Sequence, residues 1–218
     1  MSKYTDLKKT ALALFSEHGY EGTSLNMIAE QTGIRKSSIY AHFNNKDELF
    51  MSLIEDISNH YMDVMLDHFK ILDKEKSLSV QDKLQITFNV YLGSVKNDLV
   101  ISRFWKRSVV FPPHHLKDRI KDTRNSLALN SLISKVNSLF IEGICIGEVK
   151  DQAVSDLTRS YFCLLEGVIF SLLYNEEVMD FRLPDSMWKH FWSGISDIEM
   201  EKEISYERYR TVSFDPLR

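Results

Sequence analysis

The chain has 218 residues, 44% of them hydrophobic, with eight glycines, four prolines and a formal net charge of −4. That hydrophobicity excludes a disordered chain, and so few glycines and prolines exclude collagen-like, linker-dominated or turn-rich all-β chains. A nucleic-acid binder of negative net charge must hold its positive charge locally.

Apolar residues recur at helical spacing along almost the whole chain. No secretory leader is expected, since Lys3-Tyr4-Thr5-Asp6 turns straight into an amphipathic stripe of Leu7, Ala11, Leu14, Phe15 and His18, closed by Gly19. A second short helix carries Leu25, Ile28, Ala29 and Thr32 on one face. Gly33 interrupts it, and a third runs from about Arg35 to Phe43 with Ile39 and Phe43 inward. Asn45 and Glu48 form a cap for a long fourth helix with Phe50, Leu53, Ile54, Ile57, Tyr61, Val64, Met65 and His68 in register.

Ser79 caps a helix carrying Val80, Leu84, Phe88, Tyr91, Leu92 and Val95, and Leu99–Phe111 is a shorter one stopped by Pro112-Pro113. One helix is expected from Leu116 to about Glu142, broken at Gly143 and Gly147. Asp151–Tyr174 and Pro184–Ile198 complete the set. The apolar stretch near Phe162–Leu173 contains Glu166 and is too short to span a bilayer, so a cytoplasmic chain without a membrane partner is expected. Cys145 and Cys163 form no CxxC zinc framework and are expected to be reduced thiols. The fold class is all-α: a three-helix head at 1–46, a helical body at 47–198 and a tail at 199–218.

Three short helices joined by glycine-containing turns, the second and third tightly paired, describe a helix-turn-helix. Residues 1–50 hold six basic and six acidic side chains, but within 33–46 the only charges are Arg35, Lys36 and Lys46. At about 100° per residue, Ser37 and Ala41 point away from the buried Ile39 and Phe43, flanked by Ser38 and Tyr40. Small outer side chains let such a helix approach a groove floor, with Arg35 and Lys36 at its amino end. Tyr40, His42 and Lys46 are long donors suited to phosphate oxygens. Thr23 and Ser24, at the start of the second helix, offer hydroxyls and backbone N–H groups to another phosphate.

Phe15, Gly19-Tyr20, Thr23-Ser24, Ile28-Ala29, Gly33-Ile34, Tyr40-x-His42-Phe43 and Lys46-x-x-Leu49 make an interlocking pattern that resembles the DNA-binding head of the TetR family of bacterial regulators. The resemblance implies a homodimer that binds a palindromic double-stranded operator and releases it when a small molecule enters the body. By position it assigns base-edge contacts to Lys36, Ser37, Ala41 and Asn26, and backbone contacts to Ser24, Ser38, Tyr40, His42 and Lys46. Many relatives have a basic residue where this chain has Asn26, whose amide can still read adenine.

Two heads about one DNA turn apart require a self-complementary interface. The candidates are Leu164, Gly167, Val168 and Ser171 on one late helix and Trp188, Phe191 and Trp192 on the next, which alternatively form intramolecular core. For an effector pocket the candidates are Phe88, Tyr91, Phe104, Trp105 and Phe111. Leu132, Val136, Leu139 and Phe140 join them, although such stripes also describe plain core. Residues 103–124 hold seven basic and two acidic side chains, a solvated face or a seat for an anionic ligand head group or an acidic partner face. Residues 141–218 are acidic, with eight basic and fifteen acidic side chains.

The fourth helix starts in the head and continues into the body, so a shift of it changes the head spacing. No cofactor, metal site or catalytic residue is expected: there is no Glu-x-x-His, His-Glu-x-x-His, P-loop or GxGxxG, and His114-His115 is adjacent rather than one turn apart. The expected function is a sequence-specific repressor released by an effector. A constitutive regulator, an activator or a nucleoid or division protein of the same fold is the alternative, and a helical enzyme a remote one.

Overall fold

A computed structural model describes residues 3–124, 127–174 and 183–197; the expected tail at 199–218, and Ile198 before it, lie outside these. The described residues form α1 (Lys3–His18), α2 (Leu25–Thr32), α3 (Lys36–Tyr40), α4 (Lys46–Leu72), α5 (Val80–Asn97), α6 (Leu99–Val110), α7 (Lys117–Arg124), α8 (Leu127–Cys145), α9 (Val154–Tyr174) and α10 (Leu183–Ile195). A 3-10 turn, His114–Leu116, leads into α7. The fold is all-α; among the described residues the only extended pairing is an antiparallel Val149–Ser196 bridge. Among them, no helix is long and apolar enough to cross a membrane.

Side-chain caps start the helices where the sequence places them. Ser24, Asn45 and Ser79 accept from the backbone N–H of Met27, Glu48 and Asp82, and Asp98 does so for Ile101. Glu148 adds a long-range cap: its carboxylate accepts from the N–H groups of Val80 and Gln81 at 2.9 and 3.3 Å, where the dipole of α5 favours negative charge.

Two stretches depart from the expected elements. The third helix is shorter than Arg35–Phe43, because the N–H groups of His42 and Phe43 both fold back onto the Ile39 carbonyl at 2.9 Å. The expected Leu116–Glu142 helix starts after the 3-10 turn that ends at Leu116 and is described as α7 and α8, the latter running to Cys145, with residues 125–126 outside the described ones. Leu116 and Ile120 face one core, whereas Leu132, Val136 and Phe140 face another, and no apolar residue between Ile120 and Leu127 joins the two stripes.

Those two cores organise the molecule. One joins Met65, Phe69 and Leu72 of α4 with Leu84 and Phe88 of α5, Val136 and Phe140 of α8, Tyr161 and Leu165 of α9, and Trp188 and Trp192 of α10. The other joins Leu7, Phe15, Ile28 and Ile39 with Leu49–Ile57 of α4 and with Phe104, Leu116 and Ile120. The head is therefore closed by the first turns of α4 and by α6 and α7, not by residues 1–46 alone.

Between α4 and α5, His68 is buried and its Nε2 lies 3.0 Å from Thr87 Oγ1, which itself donates to the Lys83 carbonyl. Since the threonine proton is engaged, Nε2 carries the hydrogen that Thr87 Oγ1 accepts. Burial holds its pKa below the ordinary histidine value. Between the folded and unfolded pKa values the unfolded chain binds more protons, so stability is complete above the unfolded value of about 6.5 and falls as the pH drops below it. Urea midpoints measured from pH 7.5 to 5.5 should decline in the wild type, and His68→Gln should remove that component.

Candidate nucleic-acid interface

The turn between α2 and α3 requires glycine: Gly33 has φ +72°, and its N–H closes the α2 C-terminus on the Ala29 and Glu30 carbonyls. Ile39 and Phe43 then anchor α3 in the head core. The opposite side is open, with Arg35, Lys36, Ser37, Ser38, Tyr40, Ala41 and His42 exposed. Lys36 Nζ lies 5.9 Å from the Tyr40 ring, and Tyr4 of α1 packs edge-on against His42 at 5.1 Å, which fixes the α3 exit. Asn26 is exposed on α2, and Ser24 retains its hydroxyl proton while its oxygen caps Met27.

Two residues sit differently from the expectation. Thr23 is 1% exposed, and its hydroxyl bonds the Gly19 and Leu14 carbonyls at 2.8 and 3.2 Å, so it ties α1 to the turn rather than offering a hydroxyl to phosphate. Lys46 Nζ donates to the Tyr20 and Thr23 carbonyls at 2.8 and 3.0 Å and stands 3.9 Å over the Tyr20 ring.

Beside Lys46, the Tyr20 hydroxyl donates to Asp47, and His115 Nε2 lies 3.2 Å from the other carboxylate oxygen. The Tyr20 hydrogen bond, aided by His115, holds the Asp47 carboxyl below its usual range, while burial and Asp47 push the Tyr20 phenol up. Asn44 donates its backbone and side-chain N–H groups to Glu48, lowering that carboxyl too. The start of α4 is thereby tied to the α1–α2 corner and, through His115, to the segment entering α7.

Sequence periodicity missed a second tie. Arg107 of α6 donates to the Glu17 carbonyl at 2.9 Å, capping the C-terminus of α1. Gly19, with φ +73°, leaves room for it: a Cβ there would meet the guanidinium at 2.8 Å. That glycine was the only signal in the sequence.

The residues expected in the pocket divide between the two cores. Phe88, Leu132, Val136 and Phe140 are buried in the body core, with Tyr91 and Leu139 packed against it. Phe104 is buried in the head core with Trp105 against it, and Phe111 is 77% exposed. Phe111 and Phe104 are thus corrected, the one being exposed and the other filling the head core away from Phe88 and Phe140, while Trp105 lies at the edge of that core. Tyr61 bridges the division, its hydroxyl 3.1 Å from Ser102 Oγ and its ring near Tyr91 and Trp105.

Of the interface candidates, Val168, Trp188 and Trp192 are buried within their own subunit, a correction, with Leu164 and Phe191 packed against that same core. Gly167 is exposed and Ser171 half-buried. Phe170, which the stripe did not select, is a large apolar side chain that α9 exposes. Cys145 and Cys163 are free and exposed, and among the described residues no three potential ligands gather for a metal.

Residues 7–53 match the family model of bacterial regulatory proteins of the tetR family. Over 56 residues the chain is 41% identical to the HTH-type negative transcriptional regulator IcaR of the biofilm operon in Staphylococcus epidermidis, a match spanning 26% of this chain and 30% of that protein. A longer likeness, 22% over 195 residues, covers 88% of this chain and 95% of the fatty acid metabolism regulator protein of Bacillus subtilis. The crystal structure of Bacillus subtilis FadR in complex with stearoyl-CoA shares the fold, with a TM-score of 0.67 and 20% identity over 88% of this chain and 99% of that one.

Proposed function

We propose that this chain, which by its head belongs to the TetR family of bacterial transcriptional regulators, is a sequence-specific operator-binding repressor. The observation that carries this reading is the α3 helix, pinned by Ile39 and Phe43 and presenting Lys36, Ser37, Tyr40 and His42 outward. Lys36, Ser37, Ala41 and Asn26 meet base edges. Ser24, Ser38, Tyr40, His42 and Lys46 hold the phosphate backbone, with Arg35 at the amino end of α3. The protein acts in the cytoplasm as a homodimer on a palindromic site, pairing through the exposed sides of α9 and α10. The head is residues 1–46 in sequence, the body 47–198.

The effector is a small amphipathic molecule, with a long-chain acyl thioester as the first candidate. The likeness to a fatty acid regulator, whose structure holds stearoyl-CoA, supports that class. We place its site at the division between the cores, beside the Tyr61, Tyr91 and Trp105 rings, where a ligand would alter how α6 sits on the head. Selection from a randomised duplex library gives the operator, and titration with stearoyl-CoA tests release. An operator complex indifferent to the thioester would remove that ligand class.

A base contact and a phosphate contact fail differently. Lys36→Ala should lose about 1–3 kcal/mol of discrimination at one position of each half-site while binding to non-specific duplex changes little. Repeating the library selection with the variant reads this directly; an unchanged preferred sequence would strike Lys36 from the base-reading set.

A further inference from the structure

The head is electrically neutral, yet the proposed ligand is a polyanion whose binding draws on cationic side chains. Six acidic residues offset the six basic ones in 1–50, and among those cations Lys8 pairs with Asp56 at 2.7 Å and Lys46 bonds two carbonyls. The balancing charge lies far along the chain but next to the head in space. Residues 103–124 have a local charge of +5. Phe104, Leu116 and Ile120 complete the head core, Arg107 caps α1, and His115 reaches Asp47.

Within that segment Lys106 pairs with Glu166 of α9, and Arg107 is engaged by α1. Lys117, Arg119 and Lys121 of α7 are exposed and hold no ion pair among the described residues. Their placement is specific. Lys117 lies two residues beyond His115, which is fixed to the second residue of α4. Glu48, the third residue of α4, is held low by Asn44 and further by the charge of Arg119. Only residues 41–45 separate that turn of α4 from the end of α3. The amino end of α7, with Lys117 and Arg119, therefore lies beside the start of α4, five residues after α3, and Lys121 follows one turn along α7.

We infer that the exposed side chains of Lys117, Arg119 and Lys121, which flank Asp118 and Asp122 on α7, bind the DNA phosphate backbone flanking each half-site, extending the footprint beyond the recognition helix. The interaction is sequence-independent and supplies the charge that the head lacks; Asp118 and Asp122 of the same helix limit it. This inference rests on the operator-binding reading.

The test compares the full chain with K117Q/R119Q/K121Q on a library-selected operator, once with long flanks and once trimmed to the recognition-helix footprint. On the long duplex the slope of log K against log salt should become shallower by about 0.9 for each phosphate left unneutralised, which is about eightfold in affinity at 0.1 M salt per phosphate. On the trimmed duplex the two proteins should bind alike, with the same preferred sequence. Equal slopes on the long duplex would overturn the inference. Failure of the underlying reading looks different, since the wild-type chain would then prefer no duplex sequence. Ile120 is untouched, so the buried face of α7 is kept; should the triple variant melt early, K121Q alone carries the same comparison at a slope change of about one. D118N/D122N should shift the long duplex the opposite way, toward tighter binding.

Discussion

Phe104→Ala should destabilise the protein by about 3–5 kcal/mol, the range for emptying a large buried aromatic site. Phe104 is 1% exposed and its ring packs against Phe50 at 5.2 Å and Phe15 at 6.3 Å, so one side chain from α6 joins α1 and α4. Removing it opens a cavity where head and body meet, and neither Ile28 nor Leu116 can fill the space without leaving its own packing. The matched control is Phe111→Ala, seven positions on and 77% exposed, expected within about 0.5 kcal/mol of wild type. Urea unfolding at one fixed protein concentration measures both, since any self-association makes apparent stability depend on concentration. Equal costs for the two would contradict the packing of α6 onto the head.

That pair also shows what the sequence could convey. A 3.6-residue period marks which side of a helix turns inward, and it located the buried faces of α1, α4 and α5. It does not say which core receives the face. Phe88 and Phe104 look alike in the sequence, yet one fills the body and the other the head. Trp188 and Trp192 raised the same ambiguity: a bulky stripe must be covered, but its own subunit covers it. The exposed face of α3 was legible because the head is local, its turn glycine and the Ile39 and Phe43 anchors lying within a dozen residues. The ties from Arg107 to α1 and from His115 to Asp47 span 90 and 68 positions, and no periodic signal reports such distances.

Lys46→Ala should weaken operator binding on every sequence alike, by about tenfold, and lower the salt slope by about one unit. The structure adds a second effect. The ammonium donates to the Tyr20 and Thr23 carbonyls and lies over the Tyr20 ring, so its loss also unties the corner between α1 and α2. Hydrogen bonds from a charged donor contribute about 1.5–3 kcal/mol, and the half-exposed site, where water can reach the carbonyls, favours the lower end. Lys46 has three ammonium protons and two are engaged, which leaves one donor for a phosphate oxygen. Urea unfolding reads the corner and the salt slope reads the phosphate, so the two roles separate within one variant. Lys46→Arg preserves the charge and should keep most of the slope even if its planar fork fits the two carbonyls less well. A stability loss with an unchanged slope would assign Lys46 to the corner alone and would leave the phosphate contacts to Tyr40 and His42, whose side chains are exposed.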